Sequence, residues 1–129
     1  MEKLASYSIW QKSLTLVKKV YAITKTFPKD ELFGLVSQLR RASVSVLANT
    51  TEGLSRYMPA DKANRFTIAR GECSEVYALI FACIELEFTT KERASEILSL
   101  ASEIGNILSG LISIHSSKAA VRRIPHLQP

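Results

Sequence analysis

The sequence predicts an all-α protein, an up-down-up-down four-helix bundle. Three observations carry this expectation. Apolar residues recur at helical spacing in four long segments. The connections between those segments are short, which favours antiparallel neighbours. Only 5 Gly and 4 Pro occur in 129 residues, too few turn formers for a β-sandwich. One domain is the reading at this length, and 47% apolar with 22% charged residues suits a buried core rather than disorder.

The first helix is expected from about Ser8 to Thr26. Ser8-Ile-Trp-Gln11 has the form of a capping box. Trp10, Leu14, Val17, Tyr21 and Thr24 form its expected apolar face, flanked by Ile9, Leu16, Val20, Ile23 and Phe27. Phe27-Pro28 stops it, because proline disfavours a helical residue before it. The second helix is expected to start near Pro28-Lys-Asp-Glu31, with the acids at the positive end of the dipole. Its stripe is Leu32, Leu35, Val36, Leu39, Ala42, Ser43 and Val46, and Gly53 is the expected stop. Leu54–Ala60 reads as a connection.

Pro59 and Asp61 open a third helix to about Phe88, with Phe66, Ala69, Cys73, Val76, Ile80 and Cys83 on one stripe. Its second half is apolar nearly all round, so one bundle face cannot account for it. That surplus predicts self-association, with Tyr77, Phe81, Ile84 and Phe88 at the contact. Gly71 costs about 1 kcal/mol relative to alanine inside a helix, and a close approach by a neighbouring backbone would explain it. Thr89-Thr-Lys-Glu92 has the form of a second capping box and starts the fourth helix. Ala94, Ile97, Leu98, Ala101, Ile104, Leu108, Leu111, Ile112 and His115 make its stripe. Residues 1–117 thus read as the bundle and 118–129 as a flexible basic tail.

Charge is distributed unevenly. Residues 1–70 hold 12 basic and 5 acidic groups, residues 71–117 hold 2 and 7, and the whole chain is +5. This predicts a basic side and an acidic side unless the two halves interleave. The basic candidates for nucleic-acid contact are Lys12, Lys18, Lys19, Lys25, Arg40, Arg41, Arg56, Arg65 and Arg70. Lys12 and Lys19 are seven apart, as are Lys18 and Lys25, so each pair shares a helix face. Tyr57 is the best candidate to stack on a base. If the second and third helices are antiparallel about residue 58, Arg40 or Arg41 faces Glu75. An interhelical ion pair of Arg41 with Glu75 is the favoured arrangement, with the other arginine left for phosphate.

Enzyme signatures are missing. There is no phosphate-binding glycine loop, no H-E-x-x-H and no G-x-S-x-G. Ile112 sits three before His115, so the Glu-x-x-His pattern of di-iron bundles is absent. No cofactor, metal or catalytic residue is expected. Cys73 and Cys83 lie about 15 Å apart along one helix, which suits two reduced, buried thiols. The longest uninterrupted apolar run, Val76–Ile84, is shorter than the ~20 residues a bilayer span needs. A cytoplasmic protein with no membrane partner is therefore expected.

Several short stretches, taken in order, carry a resemblance. They are Ile9-Trp-Gln-Lys12, Val20-Tyr21, Phe27-Pro-Lys29, Gln38-Leu-Arg-Arg-Ala42, Asn49 with Glu52-Gly53, and Ala69-Arg-Gly71 with Glu75. Over about residues 4–115 the chain resembles the bacterial four-helix-bundle family encoded in intervening sequences of 23S rRNA genes. Leu47 stands where that family often has proline, so the second helix is expected to run straighter. The resemblance implies a left-handed bundle assembled into a homopentameric ring, and supplies no enzyme activity. A related branch looks like the accessory variability protein of diversity-generating retroelements, which binds a reverse transcriptase and nucleic acid. Two functions are therefore expected in competition. One is a non-enzymatic oligomeric module that binds RNA or DNA. The other is a protein–protein accessory or scaffold subunit, for example of a reverse transcriptase.

Overall fold

Four long helices and one short one make up the computed structural model, which describes residues 2–122. They are α1 (Glu2–Ala5), α2 (Ser8–Thr24), α3 (Leu35–Ser55), α4 (Pro59–Glu85) and α5 (Lys91–Arg122). Among the described residues there is no strand. Helix α2 packs on α3, α3 on α4, α4 on α5, and α5 back on α2, so the four long helices close around one core. Side-chain pairs show neighbouring helices to be antiparallel. Trp10 Nε1 donates to Thr51 Oγ1 at 3.0 Å near one end, and Arg40 Nε donates to Thr24 Oγ1 at 3.0 Å near the other.

The α4 stripe is buried as the sequence predicts, with Phe66, Ala69, Cys73, Val76, Ile80 and Cys83 all in the core. On α5, Ala94, Ile97, Ala101, Ile104 and Leu108 are buried, while Leu98, Leu111 and Ile112 pack at its margin. The face of α2 is rotated from expectation. Its buried residues are Ile9, Ser13, Leu16, Val20 and Thr24, while Tyr21 is exposed. Two hydroxyls lie on the buried face, Ser13 brought there by the rotation and Thr24 as expected. Ser13 Oγ donates to the Ile9 carbonyl at 2.8 Å and Thr24 Oγ1 to the Val20 carbonyl at 2.7 Å. Satisfied inside their own helix, they enter the core without an orphaned donor.

Several boundaries differ from the sequence reading. Helix α3 starts at Leu35, not at Pro28. Lys29–Glu31 forms a single 3-10 turn, and Gly34 (φ −109°, ψ −117°) is not helical. Leu32 and Phe33 are exposed there, so no burial holds that segment to the α3 axis. Helix α3 then runs without interruption past Leu47 and through Gly53 to Ser55. Gly53 is required by packing rather than by a stop: a Cβ there would lie 2.5 Å from the Phe66 ring. Gly71 shows the converse, since an added Cβ would meet nothing within 4 Å, and the expected close backbone approach is absent.

Neither capping box forms. Tyr7 is the N-cap of α2, and the Gln11 side chain donates instead to the Ala5 carbonyl. At α5 the cap is Thr90, whose Oγ1 accepts from the Arg93 amide at 3.2 Å, while Thr89 is buried. Helix α4 ends with Glu87 in the left-handed region (φ 62°). The Phe88 amide then reaches the Cys83 carbonyl at 2.9 Å and the Glu87 amide the Ile84 carbonyl at 3.0 Å, which is a Schellman ending.

Helix α5 continues past Ser116 to Arg122, so Lys118–Arg122, read from sequence as tail, is helical. Residues 123–129 of that segment lie outside the described residues. By length and composition α5 is the one helix among the described residues apolar enough to cross a membrane. Serine and glycine interrupt its apolar positions, so a count of uninterrupted runs passes over it. Both thiols are buried, and burial pushes each up to about 11. They are therefore protonated and poor nucleophiles at neutral pH.

Candidate nucleic-acid interface

The nine basic candidates separate into those with partners inside the chain and those without. Lys12 and Lys19 project from one flank of α2 onto α5. Lys12 Nζ lies 2.7 Å from Glu103 Oε1, and Lys19 pairs with Glu96. The two lysines are seven apart and so are the two glutamates, which makes an antiparallel ladder of two rungs. Lys19 holds the Glu96 carboxyl below the usual carboxylate range.

Arg41 bridges α3 to α4. Its Nη2 lies 2.5 Å from Glu75 Oε1, and its Nη1 lies 3.2 Å from Glu72 Oε2. The Glu75 pair was expected, and Glu72 adds a second carboxylate. The hydrogen bond to Glu75 and then the charge of Glu72 raise the Arg41 pKa, and Arg41 in turn draws Glu75 down. Arg40, the arginine expected to stay available for phosphate, is half-buried and occupied. Its guanidinium sits 4.6 Å above the centre of the Tyr21 ring while Nε donates to Thr24. Arg56 pairs with Glu52 one turn back at 3.1 Å. Arg70 Nη1 donates to Ser109 Oγ at 3.3 Å.

Lys18, Lys25 and Arg65 remain. None has an ion-pair partner among the described residues. Lys18 and Lys25 are exposed on the side of α2 opposite its buried stripe, and Lys29 is exposed just beyond. Arg65 is half-buried on α4. The expected basic and acidic sides are thus largely interleaved. Lys12, Lys19 and Arg41 from the basic half meet Glu103, Glu96, Glu75 and Glu72 from the acidic half.

The four residues expected at an oligomer contact divide in the same way. Tyr77 and Phe81 are 40% and 41% exposed, with ring centres 5.2 Å apart. Ile84 and Phe88 pack against the chain's own core, Phe88 with its ring centre 5.9 Å from that of Phe27. The Schellman turn folds Phe88 back, which the helical reading to residue 88 did not anticipate. The apolar surplus of α4 in this region narrows to Tyr77, Phe81 and Leu86. Beside Tyr77 a groove of about 540 Å³ runs along α5, lined by Leu98, Ser102, Asn106 and Ile107 among others.

Phe33, which helical spacing sets off the apolar stripe, is 93% exposed, and Leu32, expected on that stripe, is exposed beside it. Leu32 leaves the stripe because the helix starts only at Leu35. His115 lies with its ring centre 5.8 Å from that of Phe66, and its Nδ1 is buried without a hydrogen-bond partner. Among the described residues no group of three or more His, Cys, Asp or Glu side chains could hold a metal ion.

A model of the family described as 23S rRNA-intervening sequence protein matches residues 5–110. The chain is also similar to a solved structure, a protein of unknown function from the S23 ribosomal protein family of Bacteroides thetaiotaomicron VPI-5482. Identity is 25% and the TM-score is 0.75, with 81% of this chain and 95% of that one covered. No curated protein matches the chain. The match spans the packed helices and the residues of the Arg41 bridge and the lysine–glutamate ladder, and the chain belongs to the 23S rRNA-intervening sequence protein family.

Proposed function

We propose that the protein is a non-enzymatic, self-associating module that binds RNA or DNA through the outer face of α2. The observation that carries this reading is the division of the lysines on one helix. Lys12 and Lys19 are used inside the chain, whereas exposed Lys18 and Lys25, with Lys29 beyond, have no carboxylate partner among the described residues. Phosphate contacts need positive charge within reach, and each displaces condensed counterions. Tyr77, exposed beside an open groove, and exposed Phe81 support association of copies, in a left-handed bundle and five-membered ring by family resemblance. A ring would repeat the α2 face and multiply a weak contact into a stronger one.

Titration of a labelled RNA and a labelled DNA against salt tests this reading. Affinity is expected to fall steeply between low and physiological salt. Lys18→Glu with Lys25→Glu is expected to flatten that dependence by about 2 in log–log slope per protomer engaged. An affinity indifferent to salt would overturn it.

A second reading is favoured by one observation. Phe33 at 93% exposure, with Leu32, offers an apolar knob at the opposite end of α3 from Tyr57. It suits a protein–protein accessory or scaffold role, for example with a reverse transcriptase. Capture of a protein partner after nuclease treatment, lost in Phe33→Ser, would favour this role over the first.

A further inference from the structure

One end of the bundle collects lysines that no carboxylate pairs with among the described residues. It is formed by α1, the turn between α3 and α4, and the last turns of α5. Lys3, Lys62 and Lys118 come to it from three separate elements. Lys62 Nζ donates to the carbonyls of Gly53 at 3.0 Å and Leu54 at 3.1 Å, closing the end of α3. Burial, then the charges of Lys3 and Lys118, push Lys62 below the usual lysine range. Burial, then Lys118 and Lys62, also push His115 down. None of these three lysines has an ion-pair partner among the described residues. Of the carboxylates nearby in sequence, Glu52 is held by Arg56, and Asp61 is exposed in the first turn of α4.

The same end presents an aromatic ring to water. Tyr57 stands in the α3–α4 turn at 84% exposure. Next to it the Met58 sulfur accepts from Arg122 Nη1 at 3.5 Å. A groove of about 340 Å³ follows, lined by Pro59, Ser117, Lys118, Val121 and Arg122. Gathered like charge repels itself, and an exposed aromatic ring forgoes burial. One type of ligand relieves both: a chain of phosphates carrying bases free to stack.

We propose that this end of the bundle binds single-stranded nucleic acid, with Lys3 and Lys118 facing its phosphates and Tyr57 stacking on an unpaired base. A duplex keeps its bases inside the stack and offers Tyr57 no face. The inference rests on the nucleic-acid reading but names a different surface and a strand form.

The test is fluorescence anisotropy with labelled oligothymidylate, oligouridylate and a duplex of the same length. The intact protein is compared with Tyr57→Ala, Tyr57→Phe, Lys3→Ala with Lys118→Ala, and Lys18→Glu with Lys25→Glu. Lys62 is left in place because it closes α3. Tyr57→Ala is expected to weaken single-strand binding about five- to a hundredfold and leave the duplex unaffected, while Tyr57→Phe retains binding. Lys3→Ala with Lys118→Ala is expected to lower the single-strand salt slope by about 1.4. A single strand bound equally by the intact protein, Tyr57→Ala and the Lys3/Lys118 variant overturns the inference. If Lys18→Glu with Lys25→Glu loses binding in that same series, the α2 reading survives alone. Absence of any binding by the intact protein at low salt overturns both.

Discussion

Two pairs of lysines on α2 have the same spacing and opposite surroundings. Lys12 and Lys19 lean on Glu103 and Glu96 of α5. Lys18 and Lys25 face away from the bundle with no such partners among the described residues. Helical spacing sets the two pairs on different sides of the buried stripe, but it does not say which side meets carboxylates. The difference lies in what the closed ring of helices brings to each flank, so it belongs to the packing link rather than to local sequence. Glycine gives the same contrast: Gly53 has an aromatic ring where its side chain would be, and Gly71 has open space.

The largest test of the lysine contrast is reciprocal charge reversal. Lys18→Glu with Lys25→Glu should reduce nucleic-acid affinity at low salt on the order of 100-fold, with an unchanged melting temperature. Lys12→Glu with Lys19→Glu should instead lower the melting temperature, because it sets like charges across the α2–α5 seam. Adding Glu103→Lys and Glu96→Lys should restore it. A restored melt combined with normal binding would identify the ladder as purely structural.

Glycine contrasts come next in size. Gly53→Ala forces a Cβ into the Phe66 ring and should destabilise by about 1–3 kcal/mol in a chemical denaturation. Glu87→Gly should stabilise by roughly 1 kcal/mol, since it relieves a left-handed residue at the end of α4. Gly71→Ala should stabilise by up to about 1 kcal/mol through helix propensity. Loss of self-association in Gly71→Ala would show that another copy approaches where this chain does not.

Acid sharpens the contrast between buried and exposed titratable groups. His115 is held below its usual 6.5, so the unfolded chain binds a proton that the folded one refuses. Stability should therefore decline as pH falls from 6.5 toward the lower folded value, and His115→Gln should remove that decline. Glu75 and Glu96 are held below 4.5 by Arg41 and Lys19. Their contribution is present above that value and is lost only as pH falls through their lower folded values. Thermal melts across pH separate the two windows.

The long helices were legible because α4 and α5 carry unbroken apolar spacing, and Arg41 was legible because antiparallel packing about one turn fixes its opposite number. The rotated face of α2 was not, because Ser13 looks polar in a sequence and becomes apolar in effect once it bonds to its own helix, whereas Thr24 already lay on the expected face. The late start of α3 and the Phe88 fold-back depend on tertiary support, absent at Phe33 and present at Phe27. The candidate interface was the least legible part. Charge counts reveal how many lysines exist, but only the neighbouring helix decides which are already engaged.

The two-rung ladder also sets alignment. Apolar stripes repeat every three or four residues, so α5 could slide along α2 by one turn and still find grease opposite grease. Glu96 and Glu103 cannot follow such a slide: one turn of displacement parts both from Lys19 and Lys12, and a full heptad rejoins only one. The ladder works as a vernier, reading position along an otherwise repetitive scale.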